Sequence, residues 1–81
     1  MKQILYFTGT WCQPCRVLGP IMESLKGKIN YNKVDVDDNP DLTVKYKIRG
    51  VPTLVLIENG IEKNRVSGVL QSPEILNFYN G

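Results

Sequence analysis

The chain has no histidine, and only two of its 81 residues are cysteine. Structural zinc takes four protein ligands, so two thiols with no imidazole and no third cysteine cannot complete such a site. No apolar run approaches the roughly 18 residues that would mark a membrane-crossing helix. Ten basic side chains face eight acidic ones, and the net charge of +2 is too small to argue for nucleic acid as a partner. Dispersed charges of this kind usually solvate a surface. There are no repeats, linkers or low-complexity segments. The four-residue run Ile4-Leu5-Tyr6-Phe7 is too short for a signal peptide, and no small-residue cleavage site follows it. The expected location is cytoplasmic, without membrane association. The length fits one small domain over residues 1–81, near the lower end of what folds without staples. An apolar fraction of 42% leaves enough material for a core.

Both cysteines lie in Trp11-Cys12-Gln13-Pro14-Cys15. Two thiols at this spacing in a chain without a secretion signal favour a catalytic pair over a structural framework. A structural disulfide across so short a loop would constrain the unfolded chain little. The motif sits between a strand and a helix. Residues 3–8 are apolar on both faces and predict a central strand. Helix one is expected from about Gln13 to Lys26, burying Val17, Leu18, Ile21, Met22 and Leu25. Gly19-Pro20 should kink it without stopping it, and Gly27 marks its end.

Residues 30–36 predict a second strand with Val34 and Val36 inward. Asn39-Pro40 then caps a short helix to about Lys47. Its Leu42 and Tyr46 share one face, and Asp41 and Lys45 form an i,i+4 pair. Val51-Pro52 precedes the most apolar strand, Thr53 to Ile57. Glu58-Asn59-Gly60 signals a hairpin, and the polar return strand, Ile61 to Ser67, suits a sheet edge. Ser72-Pro73 opens a last helix that buries Ile75, Leu76 and Phe78 or Tyr79. The order β-α-β-α-β-β-α, with a right-handed crossover in the first unit, predicts an α/β fold: a four-stranded mixed sheet with helices on both faces.

Cys12 is placed where helix one begins, beside unpaired backbone N–H groups and the positive end of the helix dipole. Both favour a sulfur anion; free cysteine titrates at about 8.5, and C-x-x-C motifs bring this to roughly 3.5–7.5. Cys15 lies about one turn further in, where it is shielded and able to hydrogen-bond to the Cys12 thiolate. Cys12 is then the nucleophile toward a substrate disulfide, and Cys15 the resolving thiol that attacks the mixed disulfide. Pro14 stiffens the turn between them.

With this motif on a strand-to-helix turn, and Gly50-Val51-Pro52-Thr53 before a buried strand, the chain resembles the thioredoxin family. The resemblance covers nearly the whole chain. It extends to the stretches 33–40, Tyr46-Lys47-Ile48-Arg49 and Val66-Ser67-Gly68, all in family order. It implies a thioredoxin-like fold and reduction of protein disulfides, with no bound cofactor, as a monomer. A thioredoxin reductase-like partner would supply the electrons. It also implies that Trp11 flanks the site, that Pro52 is cis and faces the disulfide, and that Gly68 leaves room for substrate. Trp11, Val51, Pro52 and Gly68 would bind the substrate.

Three departures stand out. The family's usual N-terminal strand and helix are lacking, which should leave the 30–36 strand at an edge. Gln13-Pro14 replaces Gly-Pro between the cysteines. Tyr6 stands where thioredoxins bury an acid, although Lys33 matches the lysine that neighbours that acid. A phenol is a poor base at neutral pH, and Tyr6 also fits a purely space-filling role. Two other readings share the motif. One is a glutaredoxin-like reductase recharged by glutathione, against which stands the lack of a glutathione-binding Gly-Gly/Asp segment. The other is a binding subunit that uses the same apolar rim without redox turnover.

Overall fold

A computed structural model describes residues 1–81. Its elements follow the expected order: β1 (Lys2–Thr8), α1 (Gln13–Ser24), β2 (Tyr31–Asp35), α2 (Pro40–Lys45), β3 (Thr53–Glu58), β4 (Ile61–Ser67) and α3 (Ser72–Asn80). The four strands form one sheet in the order β2-β1-β3-β4. β1 pairs parallel with β2 and antiparallel with β3, and β3 pairs antiparallel with β4. The sheet is therefore mixed, β1 is central, and β2 lies at an edge.

Alternation along the strands sorts side chains to two faces. On one face Ile4, Tyr6, Leu54 and Leu56 pack with Leu18, Met22 and Leu25 from α1 and its C-terminal turn, and with Ile75 of α3. On the other, Phe7, Val34, Val55 and Ile57 are covered by Leu42, Tyr46 and Ile48, from α2 and the segment after it. A strand buried on both sides needs a continuous apolar run, and β3 supplies it: Thr53 through Ile57 are all buried.

α1 runs through Pro20 and ends at Ser24, with Leu25 as its C-cap. Gly27 takes φ +87° in the turn that follows. Cys15, Leu18, Met22 and Leu25 recur at three- and four-residue steps and carry the buried stripe. Val17 does not join them. It lies one residue off that stripe, about 100° around the helix, and is 57% exposed.

Pro40 follows the N-cap Asn39, whose side-chain amide donates to the Asp35 carbonyl and leaves the helix end uncapped by it. Asp41 and Lys45 do not form the expected ion pair; the Lys45 ammonium lies instead over the Tyr46 ring, 5.6 Å from its centroid. The Asn59-Gly60 hairpin has positive φ at both residues, 55° and 81°, as a type I′ turn demands. α3 starts with a capping box: Gln71 accepts from the N3 backbone while Glu74 accepts from the Gln71 N–H. Ile75 is its buried residue, and Leu76, Phe78 and Tyr79 pack partly buried around it.

Candidate active site

β1 is paired on both sides and ends at Thr8, so the chain leaves the sheet at a fixed point before turning into α1. The turn closes when the Cys12 N–H donates to the Gly9 carbonyl at 3.2 Å. Cys12 is the N-cap of α1, with extended backbone (φ −95°, ψ 116°). Its sulfur does what an oxygen usually does at that position: Sγ accepts from the Cys15 N–H at 3.2 Å. This orphan donor and the helix dipole both favour negative charge on the Cys12 sulfur. Gln13 and Pro14 occupy the first turn, exposed. Proline fits there because that N–H has no helical acceptor.

Cys12 and Cys15 are joined by a disulfide, with Cα atoms 5.2 Å apart. Exposure does not separate them: Cys12 is 5% exposed and Cys15 4%. Although Cys12 stands at the helix start, it is as covered as Cys15. What distinguishes the sulfurs is their surroundings. Cys12 Sγ lies 3.5 Å from the Val51 carbonyl oxygen, on the side of the loop before β3. Cys15 lines a pocket of about 200 Å³ behind the motif, formed by Tyr6, Thr8, Gly9, Thr10, Arg16, Gly19, Lys33 and Asp35.

The Val51–Pro52 peptide bond is cis, as the resemblance implied, and Pro52 is buried. The Pro52 carbonyl accepts from the Gly68 N–H at 3.0 Å, which brings the end of β4 beside the loop. Gly68 takes φ +92°, and a Cβ there would meet open space. The constraint on this glycine is therefore its left-handed backbone. Thr53 fixes the same loop by donating to the Gly50 carbonyl at 2.7 Å.

Trp11 is 63% exposed. Its indole N–H donates to Asp37 Oδ2 at 2.8 Å, and its ring lies so close to Gly9 that a Cβ at that position would come within 2.8 Å of it. Trp11 also forms one wall of a groove of about 170 Å³ with Val36, Thr43, Ile48, Arg49, Gly50 and Val51. The groove and the Cys12 sulfur thus share the Val51 segment.

Of the expected residues, Cys12, Val51, Pro52, Gly68 and Trp11 gather at the helix start. Tyr6 and Lys33 gather with Cys15 in the pocket behind it. Tyr6 is buried in the core, edge-on to Tyr31, and Lys33 is exposed at the rim. Sequence reasoning missed Gly9, Thr8, Asp35 and Asp37. Parallel pairing of β1 and β2 sets Thr8 opposite Asp35. That pairing places the acidic stretch after β2 alongside the motif, and carrying the register forward would have identified both aspartates.

The family model for thioredoxin matches residues 1–80. The thioredoxin of Rickettsia felis is 37% identical over 78 residues, covering 91% of this chain and 74% of its own. That of Staphylococcus aureus is 37% identical over 70 residues, covering 82% and 67%. Among solved structures, a mutant thioredoxin from Halobacterium salinarum superposes with a TM-score of 0.90 at 33% identity, over 98% of this chain and 72% of that one. Fasciola hepatica thioredoxin gives 0.87 at 32%, over 96% and 80%. On the match across residues 1–80, these relatives and the disulfide at the start of α1, the chain belongs to the thioredoxin family and is a thiol–disulfide oxidoreductase working through Cys12 and Cys15.

Proposed function

We propose that residues 1–81 act as one domain in which Cys12 attacks a protein disulfide and Cys15 resolves the mixed disulfide. The observation that carries this division of labour is the N-cap hydrogen bond. Cys12 Sγ receives the Cys15 N–H at 3.2 Å, so a thiolate there is held by a backbone donor and the helix dipole. The thiolate is the attacking species. Cys12 also borders the Val51 carbonyl and the Trp11–Val51 groove, where an extended substrate segment has room to lie. Trp11, Val51, Pro52 and Gly68 form that docking rim. Cys15 faces the other way, into the pocket, and meets the substrate only through Cys12.

Oxidation of the pair leaves a disulfide that an external donor must reduce. A thioredoxin reductase-like electron donor is the partner this reading names, with the protein working as a cytoplasmic monomer. No helix is long and apolar enough to cross a membrane.

Alkylation of the reduced protein, followed by mass mapping, tests the assignment. Cys12 should be modified first. Cys12→Ser should abolish reduction of insulin disulfides, and Cys15→Ser should accumulate a covalent insulin adduct. Faster labelling of Cys15, or an adduct trapped by Cys12→Ser instead, would reverse the roles. Turnover with thioredoxin reductase and NADPH, set against turnover with glutathione, identifies the donor.

A further inference from the structure

The pocket behind Cys15 has a chemistry that the cysteine pair alone does not explain. Thr8, Thr10, Arg16, Lys33 and Asp35 bring polar groups to its lining, and its volume of about 200 Å³ exceeds the roughly 30 Å³ that one water occupies. Its titratable groups are Tyr6 from β1, Cys15 and Arg16 from α1, and Lys33 and Asp35 from β2. Resolution of a mixed disulfide requires the Cys15 proton to leave. A guanidinium and an ammonium offer no acceptor, and a phenol is a poor base at neutral pH. The threonine hydroxyls, Thr8 and Thr10, do not titrate. Asp35 is the one carboxylate that lines the pocket.

Its placement is built into the sheet. Asp35 is the last residue of β2 and sits opposite Thr8 in the parallel register, as Lys33 sits opposite Tyr6. Asp35 and Lys33 are two apart, so they share the β2 face that α1 covers. The Asp35 carboxylate is half-buried, and its Oδ1 accepts from the Asp37 N–H at 2.9 Å. This bond fixes the side chain and leaves Oδ2 free of protein partners among the hydrogen bonds formed.

We propose that Asp35 accepts the proton of Cys15 through water in this pocket during the resolving step. The proposal rests on the reading of Cys15 as the resolving thiol. In the mixed disulfide, Cys12 Sγ is bonded to a substrate sulfur. The Cys15 thiol gives its proton by way of water to the Asp35 carboxylate, and Cys15 Sγ attacks Cys12 Sγ. The bond between Cys12 and the substrate sulfur breaks, and its electron pair leaves with the substrate thiolate, which takes a proton from solvent. Asp35 then returns its proton to solvent through the pocket mouth. The substrate disulfide has gained two electrons and the cysteine pair has lost two. Lys33 and Arg16 line the same pocket, and positive charge there favours the thiolate electrostatically as it forms.

The test is rapid mixing of the reduced protein with the aromatic disulfide 5,5′-dithiobis(2-nitrobenzoate). The first thionitrobenzoate release reports attack by Cys12 and the second reports resolution by Cys15. With a carboxylate acceptor in place, the second rate should be nearly flat across about pH 6 to 8. Asp35→Asn keeps an Oδ1 acceptor for the Asp37 N–H and removes the base. Its second rate should fall about tenfold or more near pH 6 and climb about tenfold per pH unit, following the fraction of Cys15 present as thiolate. Asp35→Glu should restore the flat profile. A flat profile in Asp35→Asn, a loss equal at all pH values, or a steep profile in Asp35→Glu would each overturn the proposal. Cys12→Ser and Cys15→Ser in the same assay separate the two readings. If Cys15→Ser keeps the fast first release and Cys12→Ser loses it, the resolving assignment stands and a flat Asp35→Asn profile removes Asp35 alone; if Cys12→Ser keeps the fast first release instead, the resolving assignment itself fails.

Discussion

The Trp11 indole N–H reaches across 2.8 Å to the Asp37 carboxylate, binding the loop before Cys12 to the turn after β2. These residues are 26 positions apart in the chain, and their meeting follows from the parallel pairing of β1 and β2. The bond holds an exposed aromatic flat beside the site, and Gly9 beneath it leaves the ring its place.

Asp37→Ala should therefore loosen Trp11 without touching the cysteines. Fluorescence anisotropy of the single tryptophan should fall. KM for insulin should rise about two- to tenfold, as fits loss of one hydrogen bond of about 0.5–1.5 kcal/mol, while kcat changes less than KM. An unchanged anisotropy would mean that packing alone holds the ring.

Tyr6→Phe tests the neighbouring pocket from its apolar side. Tyr6 is buried in the main cluster with Ile4, Leu18 and Leu54, and removing only its hydroxyl preserves that volume. The rate of disulfide reduction should change less than about threefold, far from the 10²–10⁴-fold of a general base. A hundredfold loss with the fold intact would make Tyr6 the proton carrier.

Ile75 anchors α3 as its one fully buried side chain. Ile75→Ala should cost about 2–5 kcal/mol, a large share of the roughly 5–15 kcal/mol available to a small domain. Urea denaturation, read by far-UV circular dichroism, should show the midpoint drop accordingly. A loss below about 1 kcal/mol would mean that α3 contributes little to the core.

On β4, Glu62 and Arg65 form an exposed ion pair with N–O 2.6 Å. The hydrogen bond from Arg65 holds the Glu62 carboxyl below its ordinary value of 4.5. The stability it contributes is complete above that value and disappears as pH falls through the lowered one. Solvent keeps the contribution under about 1 kcal/mol. Arg65→Met should thus flatten part of the acid limb of a thermal-stability profile and leave the neutral region within about 1 kcal/mol. An acid limb as steep as that of the unaltered protein would remove the pair from the account.

The parts of this fold legible from sequence are those dictated by local period and turn chemistry. Thr53–Ile57 reads as buried because every residue is apolar or small enough to sit between two helical layers. Asn59-Gly60 reads as a hairpin because only such residues take positive φ cheaply. Ser72-Pro73 marks a helix start, although the capping oxygen comes from Gln71. Cys12 and Cys15 were identifiable by spacing and helix position alone. Less legible were quantities set by neighbours distant in sequence. Val17 reads as core from its helical spacing with Ile21, yet the buried stripe runs through Leu18 and Met22 and leaves it exposed. The roles of Asp35 and Asp37 depend on β2 lying beside β1, and in the linear sequence they look like a solvated acidic run.

The position of β1 between β2 and β3 also governs how the chain can assemble. Lys2 and Gln3 find their antiparallel partners only at Glu58 and Ile57, so β1 stays open on that side until β3 has been made. During synthesis on a ribosome, residues 1–50 by themselves can offer only the parallel β1–β2 pair, with the β3 side of β1 bare. Such a fragment lacks β3, which carries the most continuous burial in the molecule, and non-local pairing of this kind must meet its loop-closure cost before it is rewarded. The nascent segment should remain sensitive to proteases until β3 emerges, and the domain should then close in one cooperative event. The redox pair is encoded ahead of β2, but its supporting loop at Val51–Pro52 belongs to the part made later. The active site is thus completed by that same closure, so thiol reactivity at Cys12 can serve as a reporter of folding on the ribosome.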